Sequence, residues 1–314
     1  MTLTELLDEY LSRRVLRPPT ERTYRYVVAS VTAAKGADPP LSSLTEDWWV
    51  DFRERQLHTT SAVTFNSKRR HLLCLLDWAV ATGRCDHNAL RDVGRAPVSR
   101  RRKKLVSDES LRSAIRYIEG HEVRAKRSGL FDPSWFWLAV LTTLYYTGMR
   151  RRQLVELAWG DIDFAAGTIT LRAESSKTRR EWSVPIADEL TTHLRRVRDE
   201  TAAMLGQPLD PLGQVFCLPL FVSREFPSGR LQPDYLTSWF NELQRQLPEG
   251  ARGISAHRLR HTTATHLVRK QGNLKAVQVL LGHTSVNTTM GYVEVEIDDL
   301  RSCVARLPSI LATC

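Results

Sequence analysis

The first part of the chain carries apolar residues at helical intervals, separated by short polar segments that can begin or end a helix. Thr2-Leu3-Thr4-Glu5 has the spacing of a capping box, and the apolar residues that follow it recur on one helical face. Arg17-Pro18-Pro19-Thr20 is expected to end that helix and to cap the next one. The pattern predicts three further helices, over about 21–34, from near Thr45, and over about 60–81. We therefore expect a compact helical bundle over residues 1–93.

After a polar stretch, the pattern changes to a mixture of helices and short strands. Ser107-Asp108-Glu109 is expected to cap the first helix of a second domain, and the apolar stretch 135–146 predicts a buried helix that ends at Thr147-Gly148. Three short strands are then predicted, over 161–164, 168–172 and 181–185, with helices after them. The predicted fold class is mainly α, with a small antiparallel β-sheet in a C-terminal domain that spans residues 108–314.

The net charge of +10 is concentrated between the two predicted domains. The predicted linker, residues 94–107, carries six basic and no acidic residues, five of which are consecutive: Arg100, Arg101, Arg102, Lys103 and Lys104. Such a run favours a polyanion, because each phosphate that it neutralises releases condensed counterions. A solvated linker that touches no nucleic acid has the same composition. Taken alone, the run leaves both possibilities open.

Composition narrows the classes of protein to which the chain can belong. No run approaches the ~20 apolar residues that a membrane helix needs, and the N-terminus lacks the basic and apolar regions of a signal peptide. The five cysteines are odd in number and far apart, and no Cys-x-x-Cys pair occurs, so neither a disulfide framework nor a zinc site is indicated. We expect a cytoplasmic protein in a reducing compartment, without a membrane partner.

Two arginines and a histidine form the first part of a candidate site. Ser255 is expected to cap a helix whose first turns carry His257 and Arg260 on one face, at a helix end that favours anions. Arg150 follows the predicted helix end at Gly148, and its planar guanidinium can hold two phosphate oxygens. The His-x-x-Arg spacing taken alone is more typical of a surface patch or of a buried structural histidine.

A lysine, a second histidine and a tyrosine complete the candidate set. Lys177 lies in the predicted turn between the second and third strands, where an ammonium group can enter a DNA groove, although a solvated turn lysine is the commoner case. Tyr292 lies nine residues after His283. A phenol has a reference pKa near ~10, so as a nucleophile it needs nearby cations or a base. His257 and His283 are of the residue type that moves protons near neutral pH.

A metal site is the alternative for the histidines. His257 and His261 have the i, i+4 spacing of paired ligands, and His266 follows them. The glutamate of a His-Glu-x-x-His motif is missing, and no cysteine or acidic residue lies nearby in the sequence. We therefore expect no metal.

Taken in order, these segments resemble the tyrosine recombinases, also called the phage integrase family, and most of all its simple two-domain Xer-like members. Most of the resemblance lies between Ser255 and Tyr292, in HRLRHTTATHLVRKQGNLKAVQVLLGHTSVNTTMGY. The rest lies between Thr147 and Asp163, in TGMRRRQLVELAWGDID. The resemblance implies a helical core-binding domain over 1–93, a basic linker over 94–107, and an α+β catalytic domain over 108–314 that ends in a tail helix.

The resemblance also implies a role for each cation. Arg150 and Arg260 would hold the non-bridging oxygens of the scissile phosphate. Lys177 would protonate the departing 5′ oxygen. Because these cations would take the place of a metal, the resemblance implies that no cofactor is needed.

The remaining residues would carry the covalent step. His257 would shuttle a proton, His283 would hydrogen-bond the phosphate, and Tyr292 would attack phosphorus to form a 3′-phosphotyrosyl bond. The function implied is a site-specific DNA recombinase, active in integration, excision or resolution. Its expected partners are double-stranded DNA with specific sites and further recombinase copies, which form a homotetramer or a tetramer with a related recombinase, at the nucleoid.

The chain departs from the family pattern at one position, and two other functions stay open as alternatives. Gln153 stands where the family usually has an acidic residue, three positions after the first arginine. A type IB topoisomerase would use the same chemistry to relax DNA without a partner site. A non-catalytic DNA-binding protein derived from a recombinase is the alternative from another class.

Overall fold

The computed structural model describes residues 1–99, 105–124, 130–173, 180–223, 225–271 and 273–282, with the side chains of 121–124 and 271 left aside. The chain divides into two compact units, Met1–Arg101 and Arg102–Cys314. The first unit is helical, and the second combines helices with one small antiparallel sheet. The predicted fold class is therefore confirmed. The domain limits at residues 93 and 108 stay predictions.

In its described residues, the first unit has four α-helices: α1 (Leu3–Ser12), α2 (Pro18–Lys35), α3 (Glu46–Thr59) and α4 (Ala62–Ala81). The capping box at the start of α1 is present, since Thr2 N–H donates to Glu5 Oε2 at 2.8 Å and Glu5 N–H donates to Thr2 Oγ1 at 3.3 Å. Large side chains from α3 and α4, among them Trp49 and Phe65, are fully buried in the core of this unit. The bundle follows from the helical spacing of apolar residues.

The start of α2 differs from the prediction. The helix begins at Pro18, with Arg17 as its N-cap, and Thr20 lies inside the first turn. Proline is tolerated there because the first N–H groups of a helix have no intrahelical partner, and its fixed φ already fits the helix. The segment 17–20, which was expected to separate α1 from α2, therefore contains the first residues of α2.

The polypeptide stays packed on the first unit beyond α4. Arg69, which is buried, donates from Nε to the Val93 carbonyl at 2.9 Å and from Nη2 to the Leu90 carbonyl at 3.2 Å. The Asn66 amide brackets Ala96, accepting from its N–H at 3.0 Å and donating to its carbonyl at 2.8 Å. These bonds satisfy backbone groups that a loop would otherwise leave to water.

The second unit contains the remaining described α-helices and the strands: α5 (Asp108–Arg124), α6 (Ser134–Thr147), α7 (Arg151–Glu156), β1 (Ile162–Asp163), β2 (Thr168–Leu171), β3 (Trp182–Pro185), α8 (Asp188–Leu205), α9 (Pro233–Gln246), α10 (Ala256–Gln271) and α11 (Leu274–Leu280). The strands form an antiparallel sheet in the order β1-β2-β3. Ile169 pairs with Val184, and Leu171 pairs with Trp182, so β2 and β3 are antiparallel neighbours; Lys177 belongs to the segment between them and lies outside the described residues.

Helix α6 is the centre of the second unit. It is apolar on nearly all sides and packs against α5, α8 and α10, which explains why its sequence shows no polar face. Its Trp137 stacks on Trp239 of α9 with ring centroids 4.3 Å apart. The predicted buried helix is therefore confirmed, and the turn at Gly148 directly follows this buried helix. No helix in the described ranges has the length and apolarity needed to cross a bilayer.

Candidate active site

The backbone at the end of α6 lies close to the side chain of Leu281, the C-cap residue of α11. Gly148 adopts a left-handed conformation with φ 60°, and its N–H donates to the Leu144 carbonyl at 3.1 Å. A Cβ atom on Gly148 would lie 2.8 Å from Leu281 Cδ2, closer than real side chains approach. The positive φ favours glycine here, and any larger residue would also force the Leu281 side chain to shift. Arg150 therefore follows a turn that packs against the end of α11.

Gln153 accepts a backbone hydrogen bond at the start of α7, as a carboxylate could also do. Arg150 is the residue before this helix, and its N–H donates to Gln153 Oε1 at 2.9 Å. The Gln153 side chain is 1% exposed, and its Nε2 has no hydrogen-bond partner among the described residues. An amide oxygen accepts this bond as an acidic side chain would, but it adds no negative charge beside Arg150. The departure from the family pattern therefore leaves the backbone of Arg150 anchored.

Arg260 ties three segments of the second unit together. Its guanidinium, in a residue that is 2% exposed, donates from Nη1 to the Gly148 carbonyl and from Nη2 to the Leu281 carbonyl, both at 2.7 Å. These carbonyls stand at the ends of α6 and α11, where a helix leaves acceptors unpaired. The planar fork of arginine suits this because its donors point in fixed directions. The sequence predicted Arg260 as a phosphate ligand and did not predict this structural role.

The first turn of α10 forms as expected. Ser255 Oγ accepts from the Arg258 N–H at 3.3 Å, so the predicted cap is confirmed. Arg258 folds back and donates from Nη1 to the Gly253 carbonyl at 2.9 Å. His257, one residue earlier, is exposed, while Arg260 is buried one turn further on.

Arg150, His257 and Arg260 line one open pocket of about 500 Å³. The other lining residues come from α7, α9 and the start of α10: Arg151, Arg152, Thr237, Phe240, Asn241, Ser255 and Ala256. Four of the ten lining residues are arginines and none is acidic. Such a lining concentrates positive potential where an anion can enter. Chemically, the pocket can bind a phosphate group and hold an imidazole against it.

Two of the lining arginines are held by neighbours. Arg151 donates from Nη1 to the Thr237 hydroxyl, which connects α7 to α9. Arg152 donates from Nε to Glu156 Oε1 at 2.6 Å, a contact within one helix. Sequence reasoning missed Thr237 and Asn241 as lining residues. Their i, i+4 spacing places both residues on one face of α9, and this was the available signal. No sequence pattern, however, indicates that this face lies beside Arg150.

The histidines do not form a metal site in the described part of the chain. His257 and His261 face each other, with their Nε2 atoms 3.1 Å apart, and His266 Nδ1 lies 3.4 Å from the Tyr145 hydroxyl instead. Among the described residues, no group of three or more histidine, cysteine or acidic side chains is placed to hold a metal.

Several predicted site residues lie outside the described residues: Lys177, His283, Tyr292, the basic run Arg100, Arg101, Arg102, Lys103 and Lys104, and the tail after residue 292. The chain that leads to His283 is described, and it is tightly packed. Trp182 of β3 donates from Nε1 to the Leu280 carbonyl at 2.9 Å. Gly282 has φ 62°, and a Cβ there would meet the Trp182 ring at 2.4 Å. The sequence assigned Trp182 only to a strand and did not predict this contact.

The fold and the site together define a class of protein. Residues 133–298, more than half of the chain, match the model of the phage integrase family. The chain therefore belongs to the phage integrase family, as the resemblance implied.

Individual relatives agree with this assignment. The chain is 31% identical over 306 residues to the protein of Pseudomonas syringae named "Putative tyrosine recombinase XerC", a match that covers 96% of this chain and 63% of that protein. It is also 29% identical over 249 residues to the tyrosine recombinase XerC of Bifidobacterium longum subsp. infantis, covering 78% of this chain and 67% of that one. The chain thus spans less than two thirds of the length of the first of these relatives.

Solved structures share the fold. The Tn1549 transposon integrase, in complex with a circular intermediate DNA, superposes with a TM-score of 0.75 at 18% identity, covering 98% of this chain and 100% of that chain. A lambda integrase dimer bound to a COC′ core site gives a TM-score of 0.66 at 23% identity, covering 100% of this chain and 81% of that chain. At these identities the comparison shows the fold alone.

Proposed function

We propose that the protein is a site-specific DNA recombinase that cuts and rejoins DNA strands through a covalent bond between Tyr292 and a 3′ phosphate. The observation that carries this proposal is the shared pocket of Arg150, His257 and Arg260, three residues that two distant segments of a phage integrase domain contribute. An arginine-rich pocket without acidic residues suits a phosphodiester, whose negative charge is its main recognisable feature.

The chemistry follows from where charge develops. In the proposed step, the Tyr292 oxygen attacks phosphorus and the bond to the 5′ oxygen breaks, while His257 accepts the proton that the phenol loses and Lys177 protonates the leaving oxygen. The phosphate gains charge at the transition state, so cations held in place by the fold stabilise that state more than the ground state. His283 is proposed to hydrogen-bond the same phosphate.

Rejoining is the same reaction in reverse. The phosphotyrosyl ester retains the energy of the broken bond, so a 5′ hydroxyl from another strand can attack it without ATP. Gln153 is compatible with this proposal, because its oxygen keeps the bond to the Arg150 N–H. We propose that no metal or other cofactor takes part.

The proposed partners are double-stranded DNA and further copies of a recombinase. Recombination joins two duplexes, each with two binding sites, and this requires four subunits in a homotetramer or with a related recombinase. A lambda integrase tetramer bound to a Holliday junction has the same fold, with a TM-score of 0.65 at 24% identity. We propose that the run from Arg100 to Lys104 contacts the DNA backbone, and that the protein acts in the cytoplasm at the nucleoid.

The test is covalent trapping on nicked DNA. Host DNA fragments with random nicks are incubated with the protein, and the fragments left attached to it are sequenced to give the target site. A nicked duplex with that site should then accumulate a covalent complex, because the short cleaved strand diffuses away. Tyr292→Phe should form none, whereas Tyr26→Phe, at an exposed tyrosine in the first unit, should react as the wild type does.

The outcomes separate the proposal from its alternatives. A covalent complex with strand exchange between two sites supports a recombinase. A covalent complex with relaxation of supercoiled DNA and no exchange would indicate a type IB topoisomerase. DNA binding with no covalent complex for the wild type would indicate a non-catalytic protein and would refute the proposal.

A further inference from the structure

His261 contacts His257 from within the protein. The two residues lie one turn apart on α10, their Nε2 atoms are 3.1 Å apart, and their rings are nearly perpendicular at 85°. His257 is exposed and lines the arginine-rich pocket, whereas His261 is 3% exposed and does not line it. The buried ring therefore contacts the histidine of the proposed site from the side away from solvent.

A hydrogen bond between two imidazole Nε2 atoms has a strict proton requirement. One nitrogen must carry the hydrogen and the other must present a lone pair. When both rings are neutral, they must be opposite tautomers, since the ring that accepts at Nε2 carries its hydrogen on Nδ1. The protonation pattern of His257 is then coupled to that of His261.

We infer that His261 is a positioning residue for His257, which it serves by holding the ring plane and by fixing which ring nitrogen carries the hydrogen. The inference rests on the proposed function, because it assigns His261 to the same strand-cleavage site. A histidine that moves a proton works only in the correct tautomer and orientation, and in other enzymes a neighbouring group supplies both. Here the neighbour is a second imidazole on the same helix.

The first test reads the tautomers directly. Protein labelled with ¹⁵N in its histidine rings is studied by long-range ¹H–¹⁵N correlation at about pH 8, above the ordinary pKa of imidazole near 6.5. His261→Gln identifies the signals of residue 261 by their loss. We expect one ring of the pair to carry its hydrogen on Nε2 and the other on Nδ1. Hydrogens on the same nitrogen in both rings would overturn the inference.

The second test uses two amide side chains that differ in reach. In His261→Gln the amide extends to about the place of Nε2 and can restore the bond, whereas in His261→Asn it ends near the place of Nδ1 and cannot. Both are neutral and polar, so a role limited to filling space would be disturbed similarly by each. We expect His261→Asn to slow single-turnover cleavage about tenfold or more, with His261→Gln within about threefold of the wild type and DNA affinity unchanged in both.

The outcomes distinguish this inference from the proposed function. If the wild type forms no covalent complex on its site, the proposed function fails, while the tautomer measurement still decides whether the pair exists. If the wild type cleaves and the Asn and Gln variants are equally fast or equally slow, the positioning role is wrong and the proposed function stands. Retained near-ultraviolet circular dichroism shows that each variant is folded.

Discussion

Replacing Arg260 with alanine should weaken the fold as well as the chemistry. The substitution removes the donors to the carbonyls of Gly148 and Leu281, each bonded at 2.7 Å inside the second unit. A buried acceptor left without its donor costs about 1–3 kcal/mol. Two of them cost about 2–6 kcal/mol, and relief of the desolvated guanidinium charge favours the lower part of this range, about 2–4 kcal/mol.

That loss is large compared with the total stability of a domain, about 5–15 kcal/mol. It corresponds to a fall in melting temperature of roughly 5–15 °C for a unit of this size. Guanidinium denaturation measures the loss of unfolding free energy, and a thermal scan followed by circular dichroism measures the fall in melting temperature. Arg245→Ala is the matched control, because that arginine is exposed and its ion pair, at 2.5 Å, is with Glu242 in the same helix; it should change stability by less than about 0.5 kcal/mol.

The catalytic effect should be separable from the loss of stability. Single-turnover cleavage is measured at a temperature where Arg260→Ala remains folded, and we expect it to fall by about 10²–10³-fold, the usual effect of losing one donor to a developing oxyanion. DNA affinity should remain close to that of the wild type. If Arg260→Ala unfolds like the wild type, the two carbonyl bonds do not hold the site. If it cleaves like the wild type, Arg260 is not a phosphate ligand.

Three further predictions concern the same unit and the linker. Gly148→Ala should cost at least about 1–2 kcal/mol in unfolding free energy from its positive φ, and more from the close contact; Gly206→Ala, with φ 63° and nothing within 4 Å, should cost the backbone strain alone, so equal losses would argue against the contact. Gln153→Glu should retain most cleavage activity because it keeps the acceptor, whereas Gln153→Leu should be less stable by about 1 kcal/mol and slower; equal activities would show that the acceptor is unimportant. Changing all five residues from Arg100 to Lys104 to glutamine should reduce the slope of log affinity against log salt by up to about 4.5, and an unchanged slope would mean that the run does not touch phosphate.

Local signals were the most reliable guide to the elements. The cap at Ser255 and the capping box at Thr2 were predicted because the hydrogen bonds that define them join residues three positions apart. The start of α2 was misplaced because proline can begin a helix as well as end one. Gln153 was identified from the sequence as a departure from the family pattern, but only the structure showed that its oxygen accepts from the Arg150 N–H.

The sequence by itself determined the mainly helical fold, most of the helix ends and the choice of candidate residues, because these depend on residue type and short-range spacing. It also contained the i, i+4 pair of His257 and His261, for which it suggested a metal site as the alternative. Only the tertiary structure decided that the two rings contact each other and that Arg260 donates to a carbonyl 112 residues away. Such contacts depend on how helices pack, and packing is set by the whole core and not by any local pattern.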